Sequence, residues 1–139
     1  MEDYKKMLKD KNLKVTKGRL AVLELLNASK VPMNAEQIYE DIDKEAVPSF
    51  TSLYRILKQL ADEDLLKKNL YSNGLLYYET AKLGHRHFII CSKCGKISSI
   101  EKCPLHEFDE AAAKETGYVV EYHSVELVGI CPECQKKDE

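Results

Sequence analysis

The first 84 residues contain neither histidine nor cysteine; all four histidines and all five cysteines lie at or beyond residue 85. That absence keeps nitrogen and sulfur ligands out of the N-terminal half and divides the 139-residue chain near residues 80–84. Long apolar runs are missing too. The longest, such as Phe88-Ile89-Ile90, are strand-sized, far short of the ~20 residues that span a bilayer. The opening MEDYKKMLKDK is polar and charged, unlike a secretory leader, so a cytoplasmic protein with no membrane partner is expected. Thiols stay reduced there, and clustered cysteines are read as metal ligands before disulfides. No HExxH sequence occurs, which argues against a catalytic zinc site and a small-molecule substrate. A strong charge of one sign is also lacking: the formal net charge is -2. The local distribution says more, because residues 5–19 carry Lys5, Lys6, Lys9, Lys11, Lys14, Lys17 and Arg19 against Asp10 alone.

In the N-terminal half, Thr16 is placed to cap a helix with Leu20, Val22, Leu23, Leu25 and Leu26 on one broad face. Asn34 caps a second helix with Ile38, Tyr39 and Ile42 inside, and Gln37 three residues on completes a capping box. Pro48-Ser49 introduces a third, with Phe50, Leu53, Ile56, Leu57 and Leu60 inward and Thr51, Ser52, Arg55, Lys58 and Gln59 outward. Asn73-Gly74 between two strand-like runs predicts a hairpin whose two turn positions both take positive φ. Helix, helix, polar-faced helix and hairpin is the order of a winged helix-turn-helix. In that arrangement the third helix offers hydroxyls, an amide and cations to base edges and phosphates. Lysines of the N-terminal segment, with Lys67 and Lys68 at the root of the wing, add phosphate contacts. A plain helical bundle with a solvated charged face is the competing reading.

In the C-terminal half, Cys91-Ser-Lys-Cys94-Gly95 and Cys131-Pro132-Glu-Cys134 are two CxxC knuckles separated by 36 residues. Four thiolates make a closed tetrahedral zinc site, structural because no coordination position stays open. Between the knuckles the pattern reads strand (Phe88 to Ile100), helix (Pro104 to Thr116, stopped by Gly117) and strand (Tyr118 to Ile130). The second strand is expected to carry His123, Val125 and Leu127 on one face. Open edges of so small a sheet predict pairing in a homodimer, which would set two DNA-reading helices on a palindrome. The histidines suggest a second metal site of His85, His87, His106 and His123. Cys103, three residues before His106, could share the ion across one helical turn.

These motifs resemble the ferric uptake regulator family of metal-responsive repressors over nearly the whole chain. The marks are Thr16-Lys-Gly-Arg19, Ser49-Phe-Thr-Ser-Leu-Tyr54-Arg55-Ile-Leu, His85-Arg-His87 and the two knuckles. The resemblance implies an α+β protein: a winged-helix DNA-binding domain over residues 1–80, a hinge at 81–84, and a dimerisation and metal-binding domain over 85–139. It implies a homodimer that closes on double-stranded operator DNA when the second site is loaded. Tyr54 matches a base-contacting position, and Arg19 and Arg55 match phosphate or backbone contacts; Lys14, Lys17, Thr51, Ser52 and Lys58 complete the expected DNA surface. In one of the family's two interleaved non-structural sites, histidine positions are occupied here by Arg86 and Phe88, leaving Glu79. The other is intact as His85, His87, His106 and His123, with His106 where relatives often carry an acid. An all-nitrogen set, and a Cys103-Pro104 pair like that of some zinc uptake regulators, imply Zn²⁺ as regulatory as well as structural metal and zinc-dependent control of zinc uptake genes. Nickel- and iron-responsive repression, and a zinc-stabilised protein-interaction module, are the alternatives.

Overall fold

Three polar side chains start the helices of the first half. Thr16 accepts a hydrogen bond from the Arg19 amide at 3.2 Å and opens α2 (Lys17–Ala28). Asn34 and Gln37 form the reciprocal capping box that opens α3 (Ala35–Asp41), with bonds of 2.9 and 3.0 Å. Ser49 accepts from the Ser52 amide and opens α4 (Phe50–Asp62). Each satisfies a helix N–H that would otherwise go unbonded, worth about 1 kcal/mol. The computed structural model describes residues 2–81, 87–100, 103, 105–123 and 125–137, and divides into two compact units, Met1–Gly84 and His85–Glu139.

Unit 1 adds a helix that the basic N-terminal sequence concealed. α1 (Glu2–Asp10) buries Tyr4 and Leu8, four residues apart, while Lys5, Lys6 and Lys9 face solvent. Its core is formed by Leu8, Val22, Leu23, Leu26, Ile38, Val47, Leu53, Leu57 and Leu60. A small antiparallel sheet, in the order β1-β3-β2, closes the unit: β1 (Met33–Asn34), β2 (Leu66–Leu70) and β3 (Leu76–Thr80). The hairpin is present, but its turn differs from expectation. Only Gly74 has positive φ (84°). Its amide bonds to Tyr71 O, and Tyr71 N bonds to Leu75 O. The loop therefore has three residues and needs a single left-handed position, where a two-residue turn needs two. Phe50, expected inside, is 40% exposed; it packs edge-on against Tyr39 at 5.7 Å and lies 6.3 Å from Tyr54.

Gly18 sits buried in the first turn of α2, where a Cβ would lie 2.9 Å from Ile56 Cδ1 and 3.1 Å from Ala46 O. Alanine there gains about 1 kcal/mol in helix propensity, but overpacking against a backbone carbonyl costs about 1–3 kcal/mol. Gly18→Ala is therefore expected to lower stability, seen as a lower urea midpoint with unchanged slope.

Unit 2 is built on a three-stranded sheet in the order β5-β4-β6. β4 (His87–Cys91) runs antiparallel to β5 (Ile97–Ile100), pairing His87 with Ile100, and parallel to β6 (Leu127–Gly129), pairing Cys91 with Gly129. α5 (His106–Thr116) ends at Gly117, φ 78°, and α6 (Pro132–Lys137) carries the second knuckle. Pro104, the expected helix start, lies outside the described residues. The expected strand over Tyr118 to Ile130 shrinks to Leu127–Gly129. A strand needs a hydrogen-bonding neighbour, and residues 118–123 have no strand assigned beside them among the described residues. Tyr118, Val119 and Tyr122 are instead exposed, Val119 at 90%.

Candidate metal centres and nucleic-acid interface

β4 ends in Cys91, and the left-handed Gly95 (φ 80°) turns the chain so that Cys91 N meets Lys96 O at 2.8 Å, which brings Cys94 back beside it. Pro132 starts α6 between Cys131 and Cys134. The four sulfurs of Cys91, Cys94, Cys131 and Cys134 lie within 4.8 Å of one another, with Cys94 and Cys131 at 3.7 Å. A disulfide needs about 2.05 Å, whereas a tetrahedron of zinc–sulfur bonds of about 2.3 Å places its sulfurs about 3.8 Å apart. Cys91 Sγ accepts backbone N–H groups of Cys94, Cys131 and Lys93, each at 3.4 Å, and these hold its pKa down to about 5. Cys134 goes the other way: the neighbouring sulfur of Cys131, then burial, push it up to about 12. Four sulfurs this close cannot all ionise alone, so the donor set fits a soft divalent cation.

A second cluster joins His87, Cys103 and His123. The Nε2 atoms of the two histidines are 2.9 Å apart, and Cys103 Sγ is 3.3 Å from each. A tetrahedral zinc ion separates two nitrogens by about 3.3 Å and a nitrogen from a sulfur by about 3.5 Å, so the three donors face a common point with suitable spacing. His87 is buried on β4. His123 Nδ1 donates to Asp109 Oδ2 at 2.6 Å, and both side chains are largely shielded. That bond fixes the tautomer whose Nε2 lone pair faces the cluster, the carboxylate–histidine arrangement common behind metal ligands. Sequence reasoning missed Asp109; its place one turn into α5, three residues after His106, was the available signal.

His106 does not join this cluster. It begins α5, is 80% exposed, and its Nε2 pairs with Glu110 at 3.2 Å. Cys103 precedes the helix, so the one-turn relation expected between it and His106 does not arise. His85 lies outside the described residues. Glu79 is buried on β3.

On unit 1, α4 exposes Thr51, Tyr54, Arg55, Lys58 and Gln59, and Lys14 and Lys17 are exposed before and at the start of α2. Lys58 pairs with Asp62 one turn away at 3.1 Å. Two more of the residues expected to contact DNA have other partners. Ser52 Oγ lies 2.8 Å from the capping Ser49 Oγ, and the Arg19 guanidinium bonds to Lys14 O and Gln59 Oε1, both at 2.7 Å.

Residues 10–128 match the model of the Ferric uptake regulator family. The ferric uptake regulation protein of Neisseria meningitidis is 31% identical over 132 residues, covering 94% of this chain and 92% of its own length. The peroxide operon regulator of Bacillus subtilis is 32% identical over 132 residues, covering 94% and 90%. Among solved structures, the Helicobacter pylori ferric uptake regulator Fur, described as having three functional metal binding sites, superposes with a TM-score of 0.81 at 27% identity. That match covers 96% of this chain and 90% of the other.

Proposed function

This chain belongs to the ferric uptake regulator family, and from that premise we propose that it is a zinc-responsive repressor that binds operator DNA as a homodimer and controls zinc uptake genes. Family members are transcription regulators, not enzymes. The observation that carries the metal assignment is the donor set of the second cluster: two imidazole nitrogens and one thiol sulfur facing one point. Nitrogen and sulfur suit zinc, while ions that prefer oxygen would want carboxylates in their place.

His87, Cys103 and His123 hold the regulatory ion in this reading, with Asp109 orienting His123; His85 is a candidate fourth ligand. Cys91, Cys94, Cys131 and Cys134 hold the structural zinc. A bound zinc ion supplies a fixed tetrahedral junction. At the second site that junction ties β4, the strand following the connection at residues 81–84, to His123 and through Asp109 to α5. Loading therefore restricts how unit 1 is presented to DNA, a population shift driven by the ion's preference for one arrangement. The exposed segment Tyr118 to Tyr122 supports dimerisation by strand pairing with a second copy. Thr51, Tyr54, Arg55 and Lys58 on α4, with Lys14 and Lys17, face the operator; no described helix is long and apolar enough to cross a membrane.

The test is duplex binding by protein stripped of weakly held metal and resupplied with zinc, nickel, manganese or ferrous iron at buffered trace levels. Restoration by zinc alone is the expected outcome; restoration by ferrous iron or nickel without zinc would overturn the zinc assignment. Asp109→Asn keeps the shape but weakens the histidine's partner. It is expected to reduce zinc affinity at the second site 10–100-fold, measured by competition with a chelating dye.

A further inference from the structure

Arg19 has the composition of a phosphate contact but the geometry of a strut. Its fork divides between two elements: Nη1 donates to Lys14 O in the segment before α2, and Nη2 donates to Gln59 Oε1 on α4, both at 2.7 Å. α2 comes close enough because Gly18, the preceding residue, has no side chain to hold Ile56 of α4 away. The guanidinium has no acceptor, so the Gln59 atom facing it must be the carbonyl oxygen. The Gln59 amide N–H groups are thereby turned away from Arg19, on the exposed face of α4. Lys14, also exposed, has its backbone held at the same guanidinium.

We infer that Arg19 is a positioning residue of the DNA-reading surface: it fixes Lys14 and the α4 face bearing Gln59 in one register, rather than neutralising a phosphate. The inference rests on the proposed DNA-binding function. Lysine cannot replace arginine here, because one ammonium on a flexible stem cannot hold two acceptors on separate elements in a planar fork.

The experiment uses full-length zinc-loaded protein and the duplex it selects from a randomised pool. Affinity is measured across a salt series for the wild type, Arg19→Lys, Arg19→Gln, Gln59→Met and the Arg19→Lys/Gln59→Met double variant. Each single variant is expected to lose on the order of tenfold in affinity, the scale of one charge-assisted hydrogen bond. The slope of log affinity against log salt should stay at the wild-type value. The double variant should lose less than the product of the single losses, since both substitutions break one contact. If Arg19→Lys bound like wild type while Arg19→Gln lowered the slope by about one, Arg19 would be a phosphate contact and the strut would be refuted. Gln59 is a surface residue, so Gln59→Met keeps the test decisive should an Arg19 variant fold poorly; wild-type affinity in Gln59→Met would refute the strut. A wild type that selects no duplex would remove the DNA-binding reading itself, and the strut's role with it.

Discussion

Cys94→Ser is expected to release the zinc proposed for the four-cysteine site and unfold residues 85–139 while unit 1 stays folded. The reason is how little else holds unit 2 together. Among its described residues the buried hydrophobic side chains are Phe88 and Ile90 with Cys91 and Cys134, and α5 buries none of its described residues. A core in a unit this small rarely supplies more than about 3–5 kcal/mol. Structural zinc contributes about 10–16 kcal/mol in small zinc-dependent folds, against about 5–15 kcal/mol for the whole stability of an ordinary domain. Loss of one thiolate therefore exceeds what the sheet and helix can supply. Unit 1 keeps its core of Leu8, Val22, Leu23, Leu26, Leu53, Leu57 and Leu60. Amide hydrogen exchange should lose protection over β4, β5 and β6 and retain it in α2 and α4. Protected β4 amides in the zinc-free variant would show that the sheet stands without the metal.

His87→Ala should leave both the fold and the structural zinc in place and abolish the metal response. His87 contributes one of three donors at the second cluster, and its Nε2 is within 3.3 Å of the other two. Driving a two-state protein from 1:99 to 99:1 takes a differential affinity of about 5.5 kcal/mol, which a site stripped of its buried β4 ligand cannot provide. Zinc-dependent operator affinity is expected to fall at least on the order of 100-fold, with dimer mass and one zinc per chain retained. His106→Ala is the matched control. His106 is exposed and paired with Glu110, so the variant should respond to zinc as the wild type does. Equal damage from both substitutions would mean that His106 ligates in the assembled protein and that the donor set is four nitrogens.

The sequence announced what depends on short-range chemistry. Thr16 and Asn34 with Gln37 cap the helices they were expected to cap, and Ser49 caps the helix that Pro48-Ser49 was expected to introduce, because a capping side chain and its amide lie within three residues. The two CxxC knuckles were legible from spacing alone. Features that depend on distant partners were not. The strand expected after Gly117 is mostly absent because alternating residues favour a strand without supplying its neighbour. The basic opening segment masked α1, whose signal was only the Tyr4–Leu8 pair. In the second cluster, Cys103 rather than His106 sits beside His87 and His123, since α5 starts at His106 and turns that imidazole outward. Asp109 went unseen because an acid near a helix start is ordinary until a histidine is found against it.

The most direct measurement is operator affinity as a function of zinc bound per chain. A zinc-responsive repressor of this design binds weakly at one zinc per chain, with affinity rising as the second equivalent fills and with that rise absent in Cys103→Ser. Full affinity at one zinc per chain, or an undiminished rise in Cys103→Ser, would contradict that design.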